Sequence, residues 1–390
     1  MPFLEHIPGT QPVITPPRHP RAIGVGVLGL HEGRTMLTAL ATRCGYLYAV
    51  AGCDLDAEKI AASRSEWPDL FYTSDYDEML ARPDVGVIAI YTPDSHHAPH
   101  IIRAFQAGKD VICTKPLVNS LEGARAVLAA GRSTGRKLLV GQSTRFFEPF
   151  IRQRFAFERG EVGDIELADA HYLHRMDWYY RKSPWAATDT DWVFLGLSHP
   201  LDLLRWYLGP IERVQAIGSR SKMGGQFGVK GFDVYLVNVQ AASGALGRAM
   251  GHYGCHELPR ARNCIELMLY GTAGSSLAQY HDMRYIHTTT EGDATHRAAG
   301  GFTPGPLGEV VEDHLYAGRH YYFNSQVHGM HYGEFANYAD HFGRALIENQ
   351  THSPDLEEGI ETFCLMEAVR QSAATGQPVD LAPILHEVGL

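Results

Sequence analysis

Cysteine is scarce in this 390-residue chain, and the six present, Cys44, Cys53, Cys113, Cys255, Cys264 and Cys364, never fall in a CxxC spacing. That excludes a disulfide framework and a thiolate zinc site, and it suits a reducing compartment. Long apolar runs are missing too. No stretch approaches the roughly eighteen residues that a membrane-crossing helix needs, and the first residues, MPFLEHIPGTQPVITPPRHPR, lack the charged-then-apolar layout of a secretory leader. The expected location is therefore cytoplasmic. Basic runs are absent as well: at a net charge of −10, with acids and bases interspersed, neither nucleic acid nor an anionic membrane is the expected partner, which leaves small molecules. What is present is a 45% hydrophobic composition in a chain long enough to bury two cores, so two domains are expected.

Residues 1–20 carry Pro2, Pro8, Pro12, Pro16, Pro17 and Pro20, which excludes a helix or central strand and predicts an extended arm. Over 21–145, apolar runs (23–28, 47–53, 85–90, 111–113, 138–140) alternate with helical patterns (33–43, 56–65, 75–81, 95–107, 120–132), several closed by a glycine such as Gly108 or Gly135. This is the pattern of an α/β, doubly wound parallel sheet. Over 146–390 the texture changes to longer alternating segments (164–174, 211–220, 232–241, 245–252, 263–270), which predict a mainly antiparallel sheet. An amphipathic helix near 201–208 precedes the strands from 211 onward, a helix pair (332–348, 357–375) follows them, and the Gly- and Pro-rich stretch 291–318 is expected as a loop.

A literal GxGxxG match at Gly24, Gly26 and Gly29 falls inside the first strand, where no phosphate can reach the first two glycines. The turn must instead run from Gly29 to Arg34, with Gly29 turning off the strand and Gly33 opening the next helix near a pyrophosphate. His31 stands where a middle glycine would let backbone approach phosphate. Arg34 is either a phosphate contact or an ordinary exposed helix residue. Asp54 ends the second strand, where a carboxylate accepts from a ribose hydroxyl pair and repels a 2′-phosphate, so NAD is expected over NADP. A strand-end aspartate also serves as a helix cap.

Four further segments carry a resemblance. Tyr91-Thr92-Pro93-Asp94-Ser95-His96-His97 is similar to a TPNxxH motif, with Asp94 in place of Asn; Ala107 to Leu117, AGKDVICTKPL, is similar to AGKHVxxEKPL; VGQSTRF spans Val140 to Phe146; and GLSHPLDLLRWYLG spans Gly196 to Gly209. In this order and spacing they resemble the glucose-fructose oxidoreductase / inositol dehydrogenase family, written Gfo/Idh/MocA. The resemblance implies a Rossmann domain followed by an α+β domain with an open sheet. It lays Thr92, Pro93, His97, Thr114, Lys115 and Gln142 along the dinucleotide, and makes Lys115 and His199 the acid/base groups. It also implies that open sheets of neighbouring subunits pair into a homodimer or homotetramer. Two departures from the pattern matter. The glutamate before the lysine is Thr114, and the aspartate four residues before the histidine is Leu195, so another group must finish the proton relay or the reaction departs from ordinary alcohol oxidation.

Oxidising a hydroxyl needs a positioned base and a donor for the developing alkoxide. Lys115, at a strand end and beside a nicotinamide cation, would have its pKa lowered toward neutrality. An imidazole such as that of His199 exchanges protons near pH 7, while Asp202, one turn on, would support its helix N-terminus. Arg145, Trp178, Arg181 and Trp185 before the histidine helix, and Tyr321, Asn324 and His328 after the strands, mix sugar-stacking aromatics with donors and are the expected substrate contacts. His96 and His100 lie one helical turn apart without a third ligand in a recognised spacing, so no metal site is expected. The expected activity is an NAD-dependent sugar or cyclitol dehydrogenase. A redox-neutral glycosidase of the same family, suggested by Leu195, and a non-catalytic NAD-binding sensor are the alternatives.

Overall fold

The structure, a computed structural model, describes residues 16–42, 44–256, 264–289, 308–314 and 333–390. Six strands, β1 (Ile23–Leu28), β2 (Leu47–Cys53), β3 (Phe71–Thr73), β4 (Val87–Ile90), β5 (Asp110–Thr114) and β6 (Leu138–Gly141), form a parallel sheet in the order β3-β2-β1-β4-β5-β6. The helices between them start where the sequence offers a cap. Asp56, Asp75 and Ser120 each accept a backbone N–H of the following first turn, and Gly135 ends Leu121–Thr134 in the left-handed region at φ +65°. The strand order reverses between β1 and β4, which opens a crevice at their carboxyl ends. The three-residue edge strand β3 was not expected, being too short to show a pattern.

The second sheet has nine strands: β7 (Ile165–Leu173), β8 (Ile211–Ser219), β9 (Val234–Ala241), β10 (Leu246–His252), β11 (Ile265–Gly271), β12 (Ser275–Tyr280), β13 (Arg284–Thr289), β14 (Gly308–Asp313) and β15 (Val379–Asp380). Their order is β14-β13-β12-β11-β7-β10-β9-β8-β15, antiparallel except for the β7–β10 pair. Part of the expected 291–318 loop is therefore strand β14. On one face Ala168, Ala170, Gly247, Ala249 and Gly251 let the Ser198–Leu208 helix approach; a Cβ on Gly247 would lie 2.8 Å from Leu208 and 3.3 Å from Leu204. The other face is open and carries two apolar cross-strand rows, Tyr270–Leu167–Leu246 and Met250–Leu236–Ile217, with Ile217 69% exposed. No described helix is long and apolar enough to cross a membrane.

The helix Glu334–Glu348, expected to belong with the second domain, packs on the first sheet instead. Phe335, Tyr338 and Phe342 share a core with Val25, Val27, Met36 and Leu47. The Tyr338 and Tyr91 hydroxyls meet at 2.5 Å, and Asp340 accepts the backbone N–H groups of Gly45 and Tyr46 at 2.8 and 3.1 Å. Periodicity finds such a helix but does not say which core its stripe enters. Phe342 is fully buried, so Phe342→Ala is expected to destabilise the first domain by about 3–5 kcal/mol, read as a lower midpoint of urea unfolding followed through that domain.

Candidate active site

At the end of β1, Gly29 has φ +88°, and a Cβ there would lie 2.7 Å from the Tyr91 carbonyl oxygen. Only glycine lets the turn pass so close to β4. Gly33 is also required for packing: a Cβ would stand 2.7 Å from Val27 Cγ1, so it sets how tightly the helix lies on the strand. Asp54 accepts the Leu30 N–H at 2.7 Å and the Asp56 N–H at 2.9 Å, which fixes its carboxylate beside the turn, with Lys59 Nζ 3.9 Å away. Arg34, half-buried, reaches Glu66 at 3.0 Å through Nη2, so the fold gives that guanidinium a carboxylate partner. His31 is exposed on the turn; partial burial and then the Lys182 cation hold its pKa below the ordinary value. Lys182, from the second domain, reaches Glu32 at 2.5 Å and so neutralises an acid in the turn where a phosphate would approach.

At the other end of the crevice, Thr114 of β5 and Gly141 of β6 are in register, so Lys115 and Gln142 leave the sheet side by side. Lys115 Nζ donates to the Leu195 carbonyl oxygen at 2.5 Å. Removal from water lowers its pKa to about 8, against the opposing pull of the Asp94 and Glu32 carboxylates. Asp94 is itself buried, accepts from Thr190 Oγ1 and from Asn119 Nδ2 at 3.3 Å, and has its carboxyl pKa raised by burial. The Gln142 Oε1 atom is buried with no partner among the described residues. His97 is not aimed at a cofactor: it is buried with its ring nitrogens against the Pro116 and Thr92 carbonyl oxygens at 2.7 and 2.8 Å, tying the turn after Lys115 to the loop after β4. Pro93 opens the turn at 94–96 in that loop, and Thr92 Oγ1 meets His100 Nδ1 at 3.2 Å.

His199 lies in the first turn of Ser198–Leu208, with Nδ1 2.9 Å from Thr144 Oγ1 and its ring against Tyr172. Arg145 does not reach a substrate. It is buried, its Nε and Nη2 grip both Asp202 oxygens at 2.6 and 2.7 Å, and its Nη1 meets Ser353 and Glu358 at 2.9 and 3.3 Å. Asp202 accordingly serves as the partner of Arg145 rather than as a helix-terminal charge. Trp178 joins His199 through the ring series Tyr172, His174, Trp178. Trp185 packs edge-on to Tyr179. Arg181 instead pairs with Asp177 at 3.0 Å and lines a different cavity. Tyr321, Asn324 and His328 lie outside the described residues. Sequence reasoning missed Glu32, Tyr179, Lys182 and the Leu195 carbonyl. Burial and then the Glu32 and Asp94 carboxylates raise the Tyr179 pKa, and its ring packs edge-on to Trp178, Trp185 and Trp192; no spacing signals a contact made across 150 positions, as Lys182 makes with Glu32.

A family model described as the oxidoreductase family NAD-binding Rossmann fold matches residues 22–142, and its C-terminal alpha/beta domain matches residues 156–381. The chain belongs to the Gfo/Idh/MocA family. An inositol 2-dehydrogenase of Gluconacetobacter diazotrophicus is 29% identical over 188 residues, 48% of this chain and 53% of that relative. Levoglucosan dehydrogenase of Pseudarthrobacter phenanthrenivorans is 25% identical over 341 residues, covering 80% and 84%. For several relatives the match thus spans about half of their length. Among solved structures, levoglucosan dehydrogenase in complex with NADH superposes with a TM-score of 0.77 at 22% identity over 92% of this chain and 99% of that one. A myo-inositol dehydrogenase from Corynebacterium glutamicum gives 0.71 at 21% over 93% and 99%. These likenesses establish the fold.

Within the Gfo/Idh/MocA frame, the Leu195 departure takes a specific form. Its side chain is buried, and its backbone oxygen, a neutral acceptor, receives Lys115. Because Arg145 is spent on the junction, Arg145→Ala leaves Asp202 buried without its cation and is expected to cost about 3–5 kcal/mol of stability. Calorimetric melting checks this, with the Kd for NAD staying near that of the parent in the folded fraction.

Proposed function

We propose that this chain is an NAD-dependent dehydrogenase that moves a hydride between the nicotinamide and a ring hydroxyl of a sugar, sugar derivative or cyclitol. The observation that carries the reading is the buried Lys115 amine, held to the Leu195 carbonyl oxygen ahead of His199 at the carboxyl edge of the parallel sheet, where burial lowers its pKa to about 8. The crevice suits the dinucleotide: Gly29 leaves the turn bare, Asp54 offers a carboxylate to the ribose diol and repels a 2′-phosphate, Lys182 offsets Glu32, and Gln142 Oε1 stands as an unused acceptor beside Lys115. NAD when bound supplies a two-electron acceptor. The Lys115 amine then takes the hydroxyl proton or, protonated, steadies the alkoxide oxygen. His199, oriented by Thr144, is the second proton carrier. The Asp94 carboxylate takes over the electrostatic part of the missing aspartate by holding the Lys115 pKa up. Relatives named for inositol and levoglucosan, with Trp178 and the rings around His199, support a polyol substrate. The two apolar rows of the open sheet face suit pairing with a second copy, as a homodimer or homotetramer.

Absorbance of reduced nicotinamide, followed with NAD and a panel of free sugars, cyclitols, sugar acids and aryl glycosides, tests the activity. A stoichiometric rise with one polyol is expected. Aglycone release without net NADH would instead establish the redox-neutral glycosidase that Leu195 raises, and silence across the panel with NAD bound would leave the sensor reading. In the oxidation direction kcat/KM is expected to rise with pH through about 8 as Lys115 loses its proton. Asp94→Asn removes a charge that favours the ammonium form, so that limb shifts to lower pH; an unmoved limb would separate Asp94 from Lys115.

A further inference from the structure

A second cavity, of about 690 Å3, lies at one end of the nine-stranded sheet. Ser219, Val234 and His252 stand there in one cross-strand row. Their neighbours Tyr235 and Gly251 point the other way, and Gly251 is in register with Tyr172, whose ring meets His199. Because side chains alternate across a sheet, the cavity opens on the face opposite His199, the face that carries Ile217, Leu236 and Met250, at its margin where β8 and β10 end.

Its wall is rich in donors. Arg175, Arg181 and Lys222 bring three cations, and Asp177, the one acid among the described lining residues, is taken up by both arginines at 2.8 and 3.0 Å. Lys222 is exposed and forms no ion pair among the described residues. The two histidines are set as donors as well. His252 Nδ1 accepts the Gly254 N–H at 3.2 Å, and His256 Nδ1 accepts from Arg175 Nη1 at 3.1 Å, which leaves the proton of each ring on Nε2. Beside these donors lies an apolar shelf: Phe227, stacked on Tyr180 at 5.0 Å and capped by the Arg181 guanidinium at 5.5 Å, with Met223 next to it.

We propose that this cavity is a second binding site, for a small organic oxyanion: a carboxylate or phosphate ester whose charged end meets Arg175, Arg181, Lys222 and the histidine Nε2–H groups while its apolar body rests on Phe227. Charge alone would attract any anion; the shelf selects one with a hydrophobic portion. The proposal is independent of the hydride-transfer reading, since no residue of that centre takes part.

Calorimetric titration of the full chain at low ionic strength with inorganic phosphate, phenyl phosphate and benzoate tests it, with NAD titrated separately. One saturable site per chain is expected, with phenyl phosphate bound about tenfold more tightly than inorganic phosphate, an increment of ~1.4 kcal/mol. Preference between phenyl phosphate and benzoate then distinguishes an ester from a carboxylate ligand. Arg181→Ala with Lys222→Ala is expected to weaken every probe by about tenfold or more, and Phe227→Ala to erase the phenyl advantage while sparing inorganic phosphate. Lys222→Ala alone, at an exposed and unpaired position, is expected to weaken binding about threefold and serves if the double variant folds poorly. No saturable binding at millimolar probe, binding unchanged in the lysine variant, or displacement of the probe by NAD would each overturn the proposal.

Discussion

The buried pairing of Arg145 with Asp202 organises the molecule. Arg145 sits where the chain leaves the parallel sheet, Asp202 on the helix that underlies the second sheet, and Glu358 and Thr362 on the long helix Leu356–Thr375. Two charges withdrawn from water must find each other and nearly every available donor, so the three segments have one mutual arrangement. The residues beside this knot inherit that arrangement. Thr144, next to Arg145, meets His199, one turn before Asp202. The position of the His199 imidazole thus follows from an ion pair on the neighbouring residues.

Much of this was legible in the sequence. Five of the six parallel strands show as bare apolar runs because both of their faces are covered, and Gly29 and Asp54 are legible because a turn and a strand end leave few residue choices. Lys115 and His199 were singled out through motif order. What stayed hidden has physical reasons. The helix Glu148–Glu158 carries Phe150, Phe155 and Phe157 on more than one side, so no clean stripe marks it. Strands β12 and β13 follow short turns in polar sequence, and β14 lies in a segment rich in Gly and Pro. Arg145 was read as a substrate donor because a lone arginine near a site suggests one; only the fold reveals that Asp202, Ser353 and Glu358 consume its hydrogens.

Leu195 and Asp94, which stand where the family pattern has aspartate and asparagine, belong to one electrostatic arrangement. Where Leu195 presents a neutral carbonyl, the lysine lacks the adjacent anion that would hold its proton firmly, and burial lowers its pKa. The extra carboxylate at position 94 pulls the other way from the side of the first domain, and its bonds to Thr190 and Asn119 keep it in place. A carboxylate on the first-domain wall favours the Lys115 ammonium form, while the opposite wall offers that amine a neutral carbonyl acceptor.

The return of Glu334–Glu348 to the first sheet bears on how the chain comes into being. Cys44 Sγ meets the Ala336 carbonyl oxygen across 292 positions, and Asp340 holds Gly45 and Tyr46. A nascent chain that has already emerged through β6 exposes the apolar side of β1 and Gly33–Thr42 until some two hundred further residues are made, roughly 10–40 s at ~5–20 residues per second. For that interval the dinucleotide domain is a sheet with one flank bare, a natural client for a holdase chaperone at the ribosome exit.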